Sequence, residues 1–362
     1  MSRKFPRKIK RVVIKVGASV IATYRMKPKV KYLQSLVTQI CAAQKAGVEV
    51  VLVSSGAIVL GMGELNQKIR STDLSQLQAT AAVGQTVLMR RYHELFKKYK
   101  SQCGQVLLTW DDFDNRTRFN NARNTFRSML DWGIVPVVNE NDTIATDEIR
   151  FGDNDKLSAM VASLVEADLL LILSDVEGLY DVKSSDKKVF EEIKEITNEI
   201  EGVASGTTKK NISKGGMMAK LEAIKIVTRA KIPCVIAHGE ANNVLLRVLN
   251  GDSIGTLFVE KEEKLISRKH WISFGVKPKG VLTIDEGAKK ALLNGGRSLL
   301  LPGVISWTGH FKKDDAVIVQ DAQSNEIARG IINYSMADLE KIHDKKGRPE
   351  AIHCDNLVLS ER

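Results

Sequence analysis

Ile134-Val-Pro-Val-Val138, then Asn139-Glu-Asn-Asp-Thr-Ile-Ala-Thr-Asp-Glu-Ile-Arg-Phe-Gly-Asp-Asn-Asp155, then Lys156-Leu-Ser-Ala-Met-Val-Ala-Ser-Leu-Val165: three consecutive pieces carry three different patterns. The first is a continuous apolar run that reads as a buried strand, and the last has helical spacing. The polar stretch between them is therefore a strand-to-helix connection, the joint from which α/β domains are built. It holds six carboxylates. Connections in α/β units usually take ~2–6 residues, and a long one made of Asn and Asp rather than Gly and Ser is more often functional than idle. Asn and Asp side chains suit an ammonium group, a carboxylate or hydrated Mg²⁺. A solvated loop rich in Asx turns is the plain alternative.

Outward from this joint the alternation repeats. Lys10 to Val16 is a β-branched run ended by Gly17-Ala18-Ser19, and Pro28 to Ala46 has helical spacing that stops at Gly47. Val48 to Val53 is a second buried strand, followed by Ser54-Ser55-Gly56-Ala57. Leu74 to Tyr99 reads as a long helix, Gln105 to Thr109 as a strand, Arg116 to Trp132 as a helix and Leu169 to Leu173 as a strand ending in Ser174-Asp175. Gly215 and Gly216 open a helix from Met217 to Ala230, and Pro233 to Ala237 is one more strand. This order predicts an α/β, three-layer sandwich with a mainly parallel sheet. Ligands in such sheets bind outside the C-terminal ends of the strands, where Lys15, Gly17, Ser55, the acidic connection and Ser174 all fall. From about Gly275 the pattern changes to short strands and tight turns: Gly280 to Ile284, Ser298 to Ile305, Ala316 to Gln320 and Glu326 to Ile332, with one helix near Asp285 to Leu293. The division expected is a domain over 1–260, a charged linker over 261–274 and a small β-rich domain over 275–362.

The 362 residues suit two domains of ordinary soluble composition, and no apolar run reaches the ~18 residues of a membrane span. Without a signal peptide or disulfide framework, a cytoplasmic protein is the expectation. Cys41, Cys103, Cys234 and Cys354 have no C-x-x-C spacing, which argues against structural zinc. The net charge of +11 is local: residues 1–31 hold eleven Lys and Arg and no acid, and the rest is balanced. A solvated basic arm is the expectation there. Residues 275–362, with thirteen basic and twelve acidic groups, lack the electropositive footprint of an RNA-binding surface.

Glycine turns at strand ends, the double glycine opening a helix and the lysines Lys15 and Lys220 describe a polyphosphate site without a Walker sequence. Phosphoryl transfer from ATP needs positioning and positive charge more than covalent chemistry, and two lysines flanking the moving group supply that charge. No histidine lies in these turns except His238 at a strand end, so no general base is placed. A carboxylate acceptor, with a pKa near ~4.3, needs none. An amino acid acceptor has an ammonium that Asp142 can bind and a carboxylate that Asn154 or Ser55 can hydrogen-bond. Asp153 and Asp155 then hold Mg²⁺ water or orient the lysines.

These residues resemble the glutamate 5-kinases of the amino acid kinase superfamily. The resemblance rests on Ile14-Lys15-Val16-Gly17-Ala18-Ser19, Val53-Ser54-Ser55-Gly56-Ala57-Ile58, Gln105 to Thr109, Arg118-Phe119-Asn120-Asn121-Ala122-Arg123, Val138 to Asp142, Gly152-Asp153-Asn154-Asp155 and Gly215-Gly216-Met217-Met218-Ala219-Lys220. It implies ATP binding by Lys15, Gly17, Ser174, Asp175 and the segment Lys214, Gly215, Gly216, Met217, Met218, Ala219 and Lys220. It implies glutamate binding by Ser55, Asp142 and Asn154, and catalysis by Lys15 and Lys220 with Asp155 organising them. Leu300 to Val304, Phe311 to Val317 and Ile327 to Gly330 resemble a PUA domain. The implied reaction is ATP- and Mg²⁺-dependent phosphorylation of the L-glutamate side chain, the first step of proline biosynthesis. Also implied are a homo-oligomer, proline as feedback inhibitor at the glutamate site and handover of the product to glutamyl phosphate reductase. The family usually has Thr where Ala18 and Ala219 stand, Thr-Asp at Ser174-Asp175, and Thr or Ser at Lys214. The rival readings are a related kinase acting on acetylglutamate, aspartate or UMP, whose acylated or nucleotide forms have no ammonium for Asp142, and an RNA-binding protein.

Overall fold

The computed structural model describes residues 3–145, 154–181, 188–206, 216–260, 272, 276, 278–294, 297–342 and 349–360. Strand β1 (Arg11–Val16) is buried from Val12 to Val16, as a strand covered on both faces must be. Parallel neighbours flank it: β2 (Glu49–Ser54) sets Val53 beside Lys15, and β5 (Leu169–Ser174) sets Ile172 beside the same lysine. The other strands are β3 (Cys103–Leu108), β4 (Val135–Glu140), β6 (Glu192–Ile193), β7 (Cys234–His238) and β8 (Thr256–Phe258). Their order is β3-β4-β2-β1-β5-β7-β8-β6. Among the described residues only the β7–β8 pairing is antiparallel, so six strands deliver their C-terminal ends to one edge.

The period of two along each strand sorts side chains onto two faces. Val12, Ile14, Val16, Leu52 and Leu171 join a core with Leu33 and Ile40 of the helix Val30–Lys45 and Leu88 and Tyr92 of the helix Leu74–Lys98. Each such burial contributes ~1.5–3 kcal/mol. Val13 and Lys15 have the opposite parity. They face the side where the helix Asn154–Leu164 packs on β1 and on the helix Met217–Arg229.

Two expectations change. The connection after β4 is shorter than 139–155, because Asn139 and Glu140 end the strand and Asn154 and Asp155 already lie in the helix. A carboxylate in a first turn is favoured by the helix dipole, which is why a helix can begin on residues that read as loop. Residues 146–153, including Asp153, lie outside the described residues. The basic arm is docked rather than solvated. Arg3 donates to the carbonyls of Ile254, Glu191 and Gly255, each at 3.0 Å. Arg7 donates to the Ala167 carbonyl and pairs with Asp168 at 3.0 Å, and Arg11 donates to the Val165 carbonyl and pairs with Glu49 at 2.6 Å.

The helix Ala57–Glu64 crosses Leu74–Lys98 at two glycines. A Cβ built on Gly84 would lie 1.7 Å from the Ala57 carbonyl oxygen, and one on Gly61 would lie 1.9 Å from that of Thr80. Gly84→Ala is therefore expected to force the helices apart at about 1–3 kcal/mol. The melting temperature should fall by roughly 5 °C, and an unchanged melting curve would refute this account of the crossing.

The chain divides into two units, Met1–Lys264 and Leu265–Arg362. Of the expected linker 261–274, only Ile272 is described, and it packs on Ala316, Ile331 and Val358 of the second unit. That unit has a five-stranded sheet, β11-β9-β12-β13-β15, where β9 is Gly280–Ile284, β11 Val304–Gly309, β12 Ala316–Gln320, β13 Glu326–Ile331 and β15 Leu357–Leu359. A separate pair joins β10 (Leu299–Leu300) to β14 (Glu350–Ile352). The run from Ser298 to Ile305 is thus two strands, broken by a 3₁₀ turn at Leu301–Gly303. Pro302 has no N–H for a ladder, and this is where the run breaks. Among the described residues no helix is long and apolar enough to cross a membrane.

Candidate active site

Lys15 is the last residue but one of β1 and Lys220 lies in the first turn of Met217–Arg229, 205 residues later in sequence, yet both reach one carboxylate. Lys15 Nζ is 2.5 Å from Asp155 Oδ1, and Lys220 Nζ is 2.9 Å from Asp155 Oδ2. The three residues are 4%, 5% and 0% exposed. A buried charge is costly unless paired. Counted by themselves, the three side chains sum to one positive charge. Asp155 is held from its own helix as well, Ser158 Oγ donating to its main-chain carbonyl at 2.6 Å.

Around this trio the edge presents groups suited to phosphate. Gly17 precedes the short helix Ala18–Ile21 and donates its N–H to the Leu173 carbonyl at 3.1 Å, which ties the ends of β1 and β5 together. Gly216 opens Met217–Arg229 with no side-chain cap, so Met217, Met218 and Ala219 form an uncapped helix start. Ser174, buried at the end of β5, donates to Asp175 at 3.0 Å. Lys214 and Gly215 lie outside the described residues.

A pocket opens at the same edge of the sheet, lined by Ser55, Arg70, Asn139, Glu140, Asp142 and Asn154 together with Ala18 and the 56–59 segment. Gly56, at φ 105°, makes the turn from β2 into the helix Ala57–Glu64, a conformation that favours glycine. Asn154 Nδ2 donates to the Ser54 carbonyl at 3.1 Å and to Asn139 Oδ1 at 2.7 Å. Asn139 Nδ2 in turn donates to Gln85 Oε1 at 2.8 Å. Both amide hydrogens of Asn154 are thereby spent, and the group left for a ligand is its carbonyl oxygen. That oxygen can accept a hydrogen bond from an ammonium. Burial pushes the Asp142 carboxyl up to about 6, against the pull of the Arg70 guanidinium. Asp142 thus shares the pocket with the Arg70 guanidinium, whose charge acts on it.

The model of the amino acid kinase family matches residues 10–238, and that of the PUA domain matches residues 280–352. Glutamate 5-kinase from Caldanaerobacter subterraneus subsp. tengcongensis is 44% identical over 366 residues, covering 97% of this chain and 98% of the relative. Glutamate 5-kinase from Citrifermentans bemidjiense is 41% identical over 373 residues, covering 99% and 100%. The chain belongs to the glutamate 5-kinase family. Solved structures place the same fold around other chemistry. Carbamate kinase from Giardia lamblia bound to AMP-PNP superposes with a TM-score of 0.51 at 16% identity, covering 70% of this chain and 99% of that one. UMP kinase from Bacillus anthracis gives 0.50 at 17%, covering 72% and 100%.

In this glutamate 5-kinase family member the structure brings together Lys15, Asp155 and Lys220, and gathers Ser55, Asp142 and Asn154 on one pocket. Sequence reasoning passed over Arg70, Asn139 and Gln85 as site residues. Asn139 lay within the quoted acidic stretch but carried no assignment, and Gln85 is one polar residue among many on a long helix. Arg70 comes from a polar connection, where nothing in the sequence separates it from a solvated arginine.

Proposed function

We propose that the chain transfers the γ-phosphoryl group of ATP to the side-chain carboxylate of L-glutamate, giving L-glutamyl 5-phosphate and ADP as the first step of proline biosynthesis in the cytoplasm. The observation that carries this reading is the buried Lys15–Asp155–Lys220 trio set against a pocket with an acid for an ammonium. One carboxylate oxygen forms the new bond to phosphorus while the bond from phosphorus to the ADP oxygen breaks. Lys15 and Lys220 face the charge that spreads over the transferring oxygens, and Asp155 keeps their ammoniums in place. The acceptor arrives ionised, so the residues move no proton. Asp155 has one oxygen on each lysine, so its role is to orient them rather than to hold a metal. Mg²⁺, when bound, would neutralise charge on the phosphates.

Asp142 and the Asn154 carbonyl oxygen receive the substrate ammonium. UMP and acetylglutamate offer no such group, and aspartate is one methylene shorter. Proline has a charged amine beside a carboxylate, as glutamate has at its α-carbon, so it competes for the same groups as a feedback inhibitor. A homo-oligomer and handover of the labile acyl phosphate to a reductase belong to the same reading.

The test is ADP release with Mg-ATP in the presence of glutamate, acetylglutamate, aspartate or UMP, with hydroxylamine to trap an acyl phosphate. Glutamate-dependent turnover with a trapped hydroxamate is expected; turnover confined to another acceptor would end the glutamate assignment.

A further inference from the structure

We infer that Gln85 is a positioning residue, which sets the acceptor pocket through a chain of side-chain amides; its role rests on the acceptor assignment above. Three amides from three elements stand in line: Gln85 on the helix Leu74–Lys98, Asn139 next to the end of β4, and Asn154 at the start of the helix Asn154–Leu164. Two main-chain groups fix which way they face. The Ser54 carbonyl can only accept, so Asn154 turns Nδ2 to it, and the second amide hydrogen goes to Asn139 Oδ1 at 2.7 Å. The Glu140 N–H can only donate, and it donates to the same Asn139 Oδ1 at 2.9 Å. Asn139 Nδ2 must therefore point the other way, where Gln85 Oε1 accepts from it at 2.8 Å.

Gln85 uses only one end of its amide. Its Nε2 is buried and has no hydrogen-bond partner among the described residues. A buried donor without a partner is costly, so what Gln85 contributes is its oxygen. Asn139 is 3% exposed, and without that oxygen its Nδ2 becomes a second buried donor with no described acceptor. Turning to find one breaks the bond from Asn139 Oδ1 to Asn154. The Asn154 carbonyl oxygen, which receives the ammonium, then loses its fixed direction. Asp155, the next residue, remains held by both lysines and by Ser158. The loss falls on acceptor binding rather than on phosphoryl transfer.

Two variants close to glutamine in length separate the oxygen from the nitrogen. Gln85→Met removes both. Gln85→Glu removes the unpartnered nitrogen but keeps an oxygen that accepts in either protonation state. In Gln85→Met the KM for glutamate is expected to rise about 10–30-fold, with kcat and the KM for ATP within about threefold. In Gln85→Glu the KM for glutamate should stay within about threefold of wild type. Because Gln85 acts through Asn139, adding Gln85→Met to Asn139→Ala should raise that KM by less than about twofold further. Methionine and glutamine have similar helix propensities, and an unchanged kcat reports that each variant is folded. A wild-type KM in Gln85→Met, a Gln85→Glu as impaired as Gln85→Met, or effects that multiply in the double variant would each overturn the role of Gln85. So would a Gln85→Met in which kcat and both KM values worsen together, the mark of a general loss of structure. Absence of glutamate turnover in the wild-type enzyme would instead overturn the acceptor assignment, and the inference with it.

Discussion

Lys15→Met and Lys220→Met are each expected to lower kcat by about 10²–10³-fold while leaving the KM for glutamate within about threefold. The size is that of removing one preorganised donor from a developing negative charge in a site shielded from water. Each lysine sits on one oxygen of Asp155, so removing either leaves the other still paired, and the fold is expected to survive. Asp155→Asn differs. It strands two buried ammoniums on a neutral amide, and losing one partner of a buried ion pair costs about 3–5 kcal/mol. Steady-state kinetics with a melting curve for each variant separates the two cases: slow and stable for the lysines, slow and unstable for the aspartate. A kcat within about tenfold of wild type in both lysine variants would remove them from the chemistry.

The second large effect concerns Asp142 and pH. Its carboxyl is raised from 3.8 to about 6 by burial, with Arg70 pulling the other way. In the free enzyme it therefore takes up a proton as pH falls through about 6, and a neutral acid no longer attracts an ammonium. The kcat/KM for glutamate is expected to drop by about tenfold per pH unit below that point. Asp142→Asn should raise the KM for glutamate by about 10²-fold at neutral pH and flatten this acid limb. The linkage to stability has the sign opposite to that of a salt-bridged aspartate. The raised group binds its proton more tightly folded than unfolded, so its contribution is full below the unfolded pKa and is lost as pH rises through about 6. An acid limb that persists unchanged in Asp142→Asn would assign it to another group.

Much of this site was legible because a few residues carry unmistakable local patterns. Lys15 stands at the end of a β-branched run, and a glycine turn follows it, which is enough to place it at the ligand edge of a parallel sheet. Its direction follows from strand parity: with Val13 it faces the helix that holds Asp155. The helical position of Asn154 and Asp155 was not legible, since polar residues in a first turn look the same as the end of a loop. Nor was the spending of the Asn154 amide on Ser54 and Asn139, which only three-dimensional pairing reveals. Arg70 and the carbonyl partners of Arg3, Arg7 and Arg11 share that reason: an isolated arginine in sequence says nothing of what it meets. The short strands Glu192–Ile193, Glu350–Ile352 and Leu357–Leu359 are below the length at which alternation can be read.

The docked arm has a consequence for how the enzyme is handled. Arg7 and Arg11 grip the Ala167 and Val165 carbonyls and the main-chain N–H groups of Lys10 and Arg11 both bond Asp168, all just past the end of the helix that begins at Asn154. That helix is about 16 Å long at 1.5 Å per residue, so its far end carries the aspartate that sets both lysines. Residues 3–11 thus act as a mooring for a strut whose other tip holds Asp155 between the two lysines. Trimming them, as one would to tidy a terminus before attaching a purification tag, would let the strut slip and slow turnover without altering any residue that touches a substrate.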